Sequence, residues 1–108
     1  MIIGYGRVKY KKDILSSSYD CGYKEGLLKS NGANETFIDI DCPEKLTNRV
    51  ELNNAIDLLK EGDVLMVASQ YDLCNDIDEF YKIYETIKKK GAILQFATPI
   101  YRPFIKQK

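Results

Sequence analysis

Four short apolar runs, each followed by a longer polar or amphipathic stretch, constrain this chain more than any other feature. The runs are "MIIGYGRV", "TFIDID", "VLMVAS" and "AILQFAT". The first and third carry almost no charge until their ends, as strands buried on both faces do. The stretches between them are long enough for helices, and consecutive strands joined by helices form parallel sheets through right-handed crossovers. The predicted fold is therefore a three-layer α/β/α domain on a mainly parallel four-stranded sheet. Its strands are expected near residues 1–8, 35–41, 63–69 and 92–98. Ligands in such folds bind beyond the carboxyl ends of the strands. Here those ends are Val8 with Lys9, Asp39 to Asp41, Ala68 to Asp72, and Thr98.

The helices are punctuated by capping signals. Ser17 with Asp20 predicts a helix from about Ser18 to Ser30, with an apolar stripe of Tyr23, Leu27 and Leu28 weakened by Gly22 and Gly26. Asn31-Gly32 ends it. Asn48 with Glu51 is a capping box that opens a second helix through Leu52, Ala55, Ile56 and Leu59. Asp76, Asp78 and Glu79 open a third, Lys88, Lys89 and Lys90 close it, and Gly91 caps it. That charge order suits the helix dipole. Its predicted buried face is Ile77, Phe80, Tyr84 and Ile87. The tail "PIYRPFIKQK" is basic and broken by proline.

At 108 residues the chain has the size of one domain. Lysine plus arginine balances aspartate plus glutamate, 16 against 16, so no global field draws it to nucleic acid or membrane. There is no histidine, which removes the commonest general base and metal ligand. Cys21, Cys42 and Cys74 match neither a zinc spacing nor a paired disulfide framework. They read as free thiols in a reducing compartment. No signal peptide or membrane-length run is visible, so a cytoplasmic location is expected.

Each candidate site has a plainer reading beside it. "GYGRVK" lacks the third glycine of a dinucleotide loop, and its glycines fall inside a strand, where close packing explains them. Ser16, Ser17 and Ser18 have no histidine to activate them, and helix capping accounts for the run. Asp39, Asp41 and Asp72 sit at strand ends, where solvated caps explain them better than a metal. Neither a metal nor a cofactor is expected. Arg7 is harder to dismiss. An arginine within an apolar strand needs a partner, either an acid such as Asp39 or Asp72, or a bound phosphate.

The same residues carry a family likeness. "IIGYGRVK" resembles the first strand of serine recombinases of the resolvase and invertase type, where an aliphatic pair precedes G-Y-A-R-V-S. "FIDID" resembles their second strand. "NRVELNNAIDLLKEGDVLMV" resembles their R-P-E-L-x-x-A-L-x-x-L-x-x-G-D-x-L-V-V stretch, and "GAILQFAT" their fourth strand. The resemblance implies a resolvase-like fold that cuts DNA, with a serine attacking a phosphodiester and arginines holding the phosphate.

The departures fall on the chemistry. The position of the nucleophilic serine is Lys9. Against the family's D-R-L-G-R-S stands "YDLCND", which places Tyr71 at the aspartate and Asp72 and Asn75 at the two arginines. Arg7 and Arg49 survive. No catalytic residue is assigned, and Arg7, Lys9 and Arg49 are the expected phosphate- or DNA-binding set, with an internal carboxylate, Asp72 or Asp39, favoured as their counter-charge. With the sequence ending soon after Thr98, the expectation is a single domain over residues 1–108 that lacks the family's long dimer helix and DNA-reading region. The expectation is a degenerate, truncated resolvase-like domain that has lost strand cleavage. It would bind a partner protein such as an active recombinase, or DNA weakly and without specificity, and would be a monomer or weak oligomer. The alternatives are a recombinase with a relocated nucleophile at Ser16, Ser17 or Ser18, or a small-ligand-binding protein on the same scaffold.

Overall fold

A computed structural model of the chain describes residues 1–9, 14–41, 50–73 and 77–98. The elements follow in the order β1 (Ile2–Lys9), α1 (Ile14–Ser30), β2 (Glu35–Asp41), α2 (Val50–Leu58), β3 (Val64–Val67), α3 (Gln70–Leu73), α4 (Ile77–Lys89) and β4 (Ile93–Phe96). The sheet is four-stranded, in the order β2-β1-β3-β4, and every pairing is parallel. The two most apolar runs, β1 and β3, are the two inner strands, as burial on both faces requires.

The period-two alternation of the strands divides the core into two layers. Ile3 and Tyr5 of β1 and Leu65 and Val67 of β3 pack with Leu52, Ala55, Ile56 and Leu59 from the α2 segment, Leu73 of α3 and Ile87 of α4. On the other face, Met66 and Ala68 pack with Leu28 of α1, and Ile2, Ala33 and Ile38 join them at the margin. Thus α1 covers one face, and α2 and α4 the other. Gly4 and Gly6 of β1 lie under α1, and at Gly4 close approach is the reason for glycine. A Cβ on Gly4 would stand 3.1 Å from the Cβ atoms of Leu28 and Ala33.

Several boundaries differ from the predicted ones. Helix α1 begins at Ile14, not Ser18, so Ser16, Ser17 and Ser18 are helical residues and do not cap its start. No glycine or proline stands between Ile14 and Asp20, so a helix docked through its C-terminal half propagates backwards through this polar stretch. Tyr23, expected in the buried stripe, is 62% exposed, and the inward face runs through Lys24 and Leu28. Strands β3 and β4 are shorter than their apolar runs because the chain bends after Val67 into the short helix α3, which no periodicity announces. On α4, Ile87 is buried and Phe80 and Ile83 pack against the core, while Tyr84 lies partly in solvent, stacked on Phe80 at 5.9 Å. Gly91, at φ 75°, ends α4 in the left-handed conformation a helix stop favours. Among the described residues no helix is long and apolar enough to cross a membrane.

Candidate functional site

The chain steps from β1 outward to β2 and then returns past β1 to β3. The carboxyl ends of β1 and β3 therefore flank the topological switch point, the crevice where ligands of such sheets bind. The geometry there follows from a mismatch in strand length. β1 pairs with β2 from Ile3 to Lys9 but with β3 only from Ile2 to Tyr5. The last rung to the β3 side is Ala68 N–H donating to Tyr5 O at 2.9 Å. Beyond it, the Arg7 amide meets no strand. It donates instead to Asp72 Oδ2 at 3.1 Å, so a side chain from α3 continues the ladder.

Asp72 is only 6% exposed. A buried carboxylate is costly unless it is paired and hydrogen-bonded. The pairing comes from across the sheet. Lys24 of α1 reaches over Gly6 and places Nζ 2.6 Å from Oδ1 and 2.7 Å from Oδ2 of Asp72, and it also donates to Arg7 O at 2.6 Å. The Ser69 hydroxyl donates to Oδ1 at 3.1 Å. The stem of Lys24 passes over Gly6, where an added Cβ would stand 3.5 Å from Lys24 Cβ, in ordinary contact. A carboxylate engaged by an ammonium, an amide and a hydroxyl has little left to offer Ser69 as a base. The cluster holds charge and is not arranged for nucleophilic attack.

A second buried carboxylate, Asp39, is 4% exposed on the opposite face. It accepts from the Glu51 amide at 3.0 Å, the Leu52 amide at 3.2 Å and the Tyr5 hydroxyl at 2.7 Å. Those amides are the second and third of α2, the two that a capping side chain serves. Asp39 therefore caps α2 from a neighbouring strand. The predicted box residue Asn48 lies outside the described residues.

Of the expected cations, Arg7 is half-buried in β1 and in register with Asp39 of β2. The backbone of Lys9 ends β1 in register with Asp41. Arg49 lies outside the described residues, as do Asn75, Cys42 and Cys74. Lys24 was missed by sequence reasoning. Its one local signal is a spacing of four residues from Leu28, which puts an ammonium on the buried face of α1. Among the described residues no group of three or more Cys, Asp or Glu is placed to hold a metal ion. Away from the crevice, burial and then the neighbouring Glu25 carboxylate raise the Cys21 thiol above its ordinary range. The Asp63 carboxyl is held below its ordinary range, first by the Lys60 amide and then by the amino terminus 3.1 Å away.

No family model matches the chain. A Clostridium perfringens protein named Resolvase is 27% identical to it over 95 residues, which make up 88% of this chain and 48% of that protein. The chain thus spans about half the length of the curated relative it matches. This distant likeness, together with the all-parallel four-stranded sheet, supports a resolvase-like domain.

Proposed function

We propose that this resolvase-like domain does not cut DNA and acts as a non-catalytic binding module for a partner protein, with any contact to DNA weak and non-specific. The observation that carries the reading is Asp72. At a position where the resemblance expects a phosphate-holding arginine stands a buried carboxylate, already neutralised by Lys24. A carboxylate in that place gives a scissile phosphate no cationic donor, and it takes up the Lys24 ammonium that could have served as one. Lys9, where the resemblance expects the attacking serine, supports the same conclusion. Loss of a nucleophile costs about a millionfold in a well-studied hydrolase. Each missing charge-stabilising donor costs roughly a further hundred- to thousandfold. Residual cleavage falls below detection on that arithmetic. A folded domain freed of chemistry keeps its surfaces, and the balanced charge of the chain favours a protein partner over a polyanion.

The test is a search for a covalent protein–DNA adduct, by denaturing electrophoresis and mass spectrometry, on supercoiled DNA carrying resolvase sites. The unmodified chain and Lys9→Ser are both expected to give none, since Lys9→Ser restores a hydroxyl but leaves Asp72 in place. An adduct with the unmodified chain overturns the proposal. An adduct with Lys9→Ser alone would show that Asp72 does not block phosphate binding.

A further inference from the structure

Three donors on three different segments converge on the two oxygens of Asp72. The Lys24 ammonium from α1 lies 2.6 Å and 2.7 Å from them, the Arg7 amide of β1 3.1 Å from Oδ2, and the Ser69 hydroxyl from the β3–α3 turn 3.1 Å from Oδ1. One cation, one backbone N–H and one hydroxyl around a pair of oxygens make a donor set for an oxyanion in general, not only for a tethered one. Two of the donors are placed without help from Asp72. The Arg7 amide is fixed by the β1–β2 ladder, and Lys24 is tied independently to Arg7 O.

We infer that the switch-point crevice is a cradle for a small carboxylate, and that in this chain the cradle is filled by the tethered carboxylate of Asp72. With the tether cut back to Cβ, the cradle takes a free carboxylate. Truncation to alanine removes one CO2 group, the volume that formate refills; acetate brings an extra methyl group and fits less well. The inference goes beyond the absence of cleavage and does not depend on it. Its experiment reads folding stability rather than DNA chemistry, so either reading can fail while the other stands.

Asp72→Ala is melted in sodium formate, sodium acetate and sodium chloride at matched ionic strength. The expected result is a low Tm in chloride that formate raises saturably, and acetate raises less. Formate at ten times its Kd multiplies the folding equilibrium constant about 11-fold. The unmodified chain, Asp72→Asn (whose amide fills the cradle) and Asp72→Ala combined with Lys24→Met should show no rise specific to formate. Should Asp72→Ala fail to fold in chloride, its refolding yield in formate against chloride reads the same equilibrium. Equal behaviour of Asp72→Ala in formate and chloride, folded or not, overturns the inference. So does a formate response of equal size in any of the three controls.

Discussion

Gly4 and Gly6 show how much a single missing side chain decides. Both lie on the face of β1 beneath α1, yet a methyl group would meet different neighbours at each. At Gly4 it would stand 3.1 Å from the Cβ atoms of Leu28 and Ala33 and 3.2 Å from Leu28 Cδ1. Two of those contacts are anchored directly to backbone and cannot rotate away, so α1 itself would have to lift. At Gly6 the tight contact, 3.0 Å, is with Ile38 Cδ1, the free end of a rotatable side chain, and Lys24 follows at 3.5 Å. Replacing glycine by alanine also removes freedom from the unfolded chain, a gain of about 0.4–1 kcal/mol. Overpacking costs about 1–3 kcal/mol and exceeds that gain at Gly4. At Gly6 the two effects cancel to within about 1 kcal/mol, because Ile38 can turn aside. Urea denaturation should therefore show a lower midpoint for Gly4→Ala and a nearly unchanged one for Gly6→Ala. The reverse order would mean that α1 is not packed on β1 as described.

Helix α2 depends on an acceptor from another element. Asp39 of β2 serves the amides of Glu51 and Leu52 and also the hydroxyl of Tyr5, linking β1, β2 and α2 at one carboxylate. Tyr5→Phe removes one donor and leaves the two amides bonded, at a cost of about 1 kcal/mol. Asp39→Ala strips the acceptor from all three donors, two of them in buried bonds, and about 2–4 kcal/mol is expected. Equal destabilisation by the two substitutions in urea would show that Asp39 does not cap the helix. This link also marks what could be read from the sequence. The strands were legible because runs such as Val64–Val67 have no soluble alternative to burial, and α4 was legible because its charge order and Gly91 are local signals. The Asp39 cap was not, since its acceptor lies twelve residues before Glu51 and local pattern suggested Asn48 instead. The start of α1 was hidden in polar residues without periodicity, and α3, four residues long, is too short to have any. The crevice was half legible. Arg7 in an apolar strand demanded attention and Asp72 was named as a carboxylate to consider, but Lys24 is separated from Asp72 by 48 positions, and only the fold brings them together.

At the scale of the molecule, the Lys24–Asp72 pair joins what the sheet separates. Lys24 belongs to the helix that covers one face, and Asp72 to the turn of helix that leads from β3 toward the α4 layer on the other; they meet across the end of β1. With side chains 24% and 7% exposed, the pair is shielded enough on the Asp72 side for removal of Lys24 to leave a poorly solvated carboxylate behind. Breaking a buried pair in this way typically costs about 3–5 kcal/mol, whereas replacing both members by neutral groups costs much less. Lys24→Met should fall near the lower end, about 3 kcal/mol, because the Arg7 amide and the Ser69 hydroxyl still hold the Asp72 carboxylate. Asp72→Asn should cost less, about 2 kcal/mol, since the partly exposed Lys24 can turn its ammonium toward water. The double variant, Lys24→Met with Asp72→Asn, contains no unpaired charge and should be about as stable as Asp72→Asn alone. The coupling energy from the four urea curves is then about 3 kcal/mol, well outside the few tenths found for independent sites. Additive costs would mean that the pair is a surface contact of little consequence, and that α1 is held to the sheet by Leu28 and the glycine contacts alone.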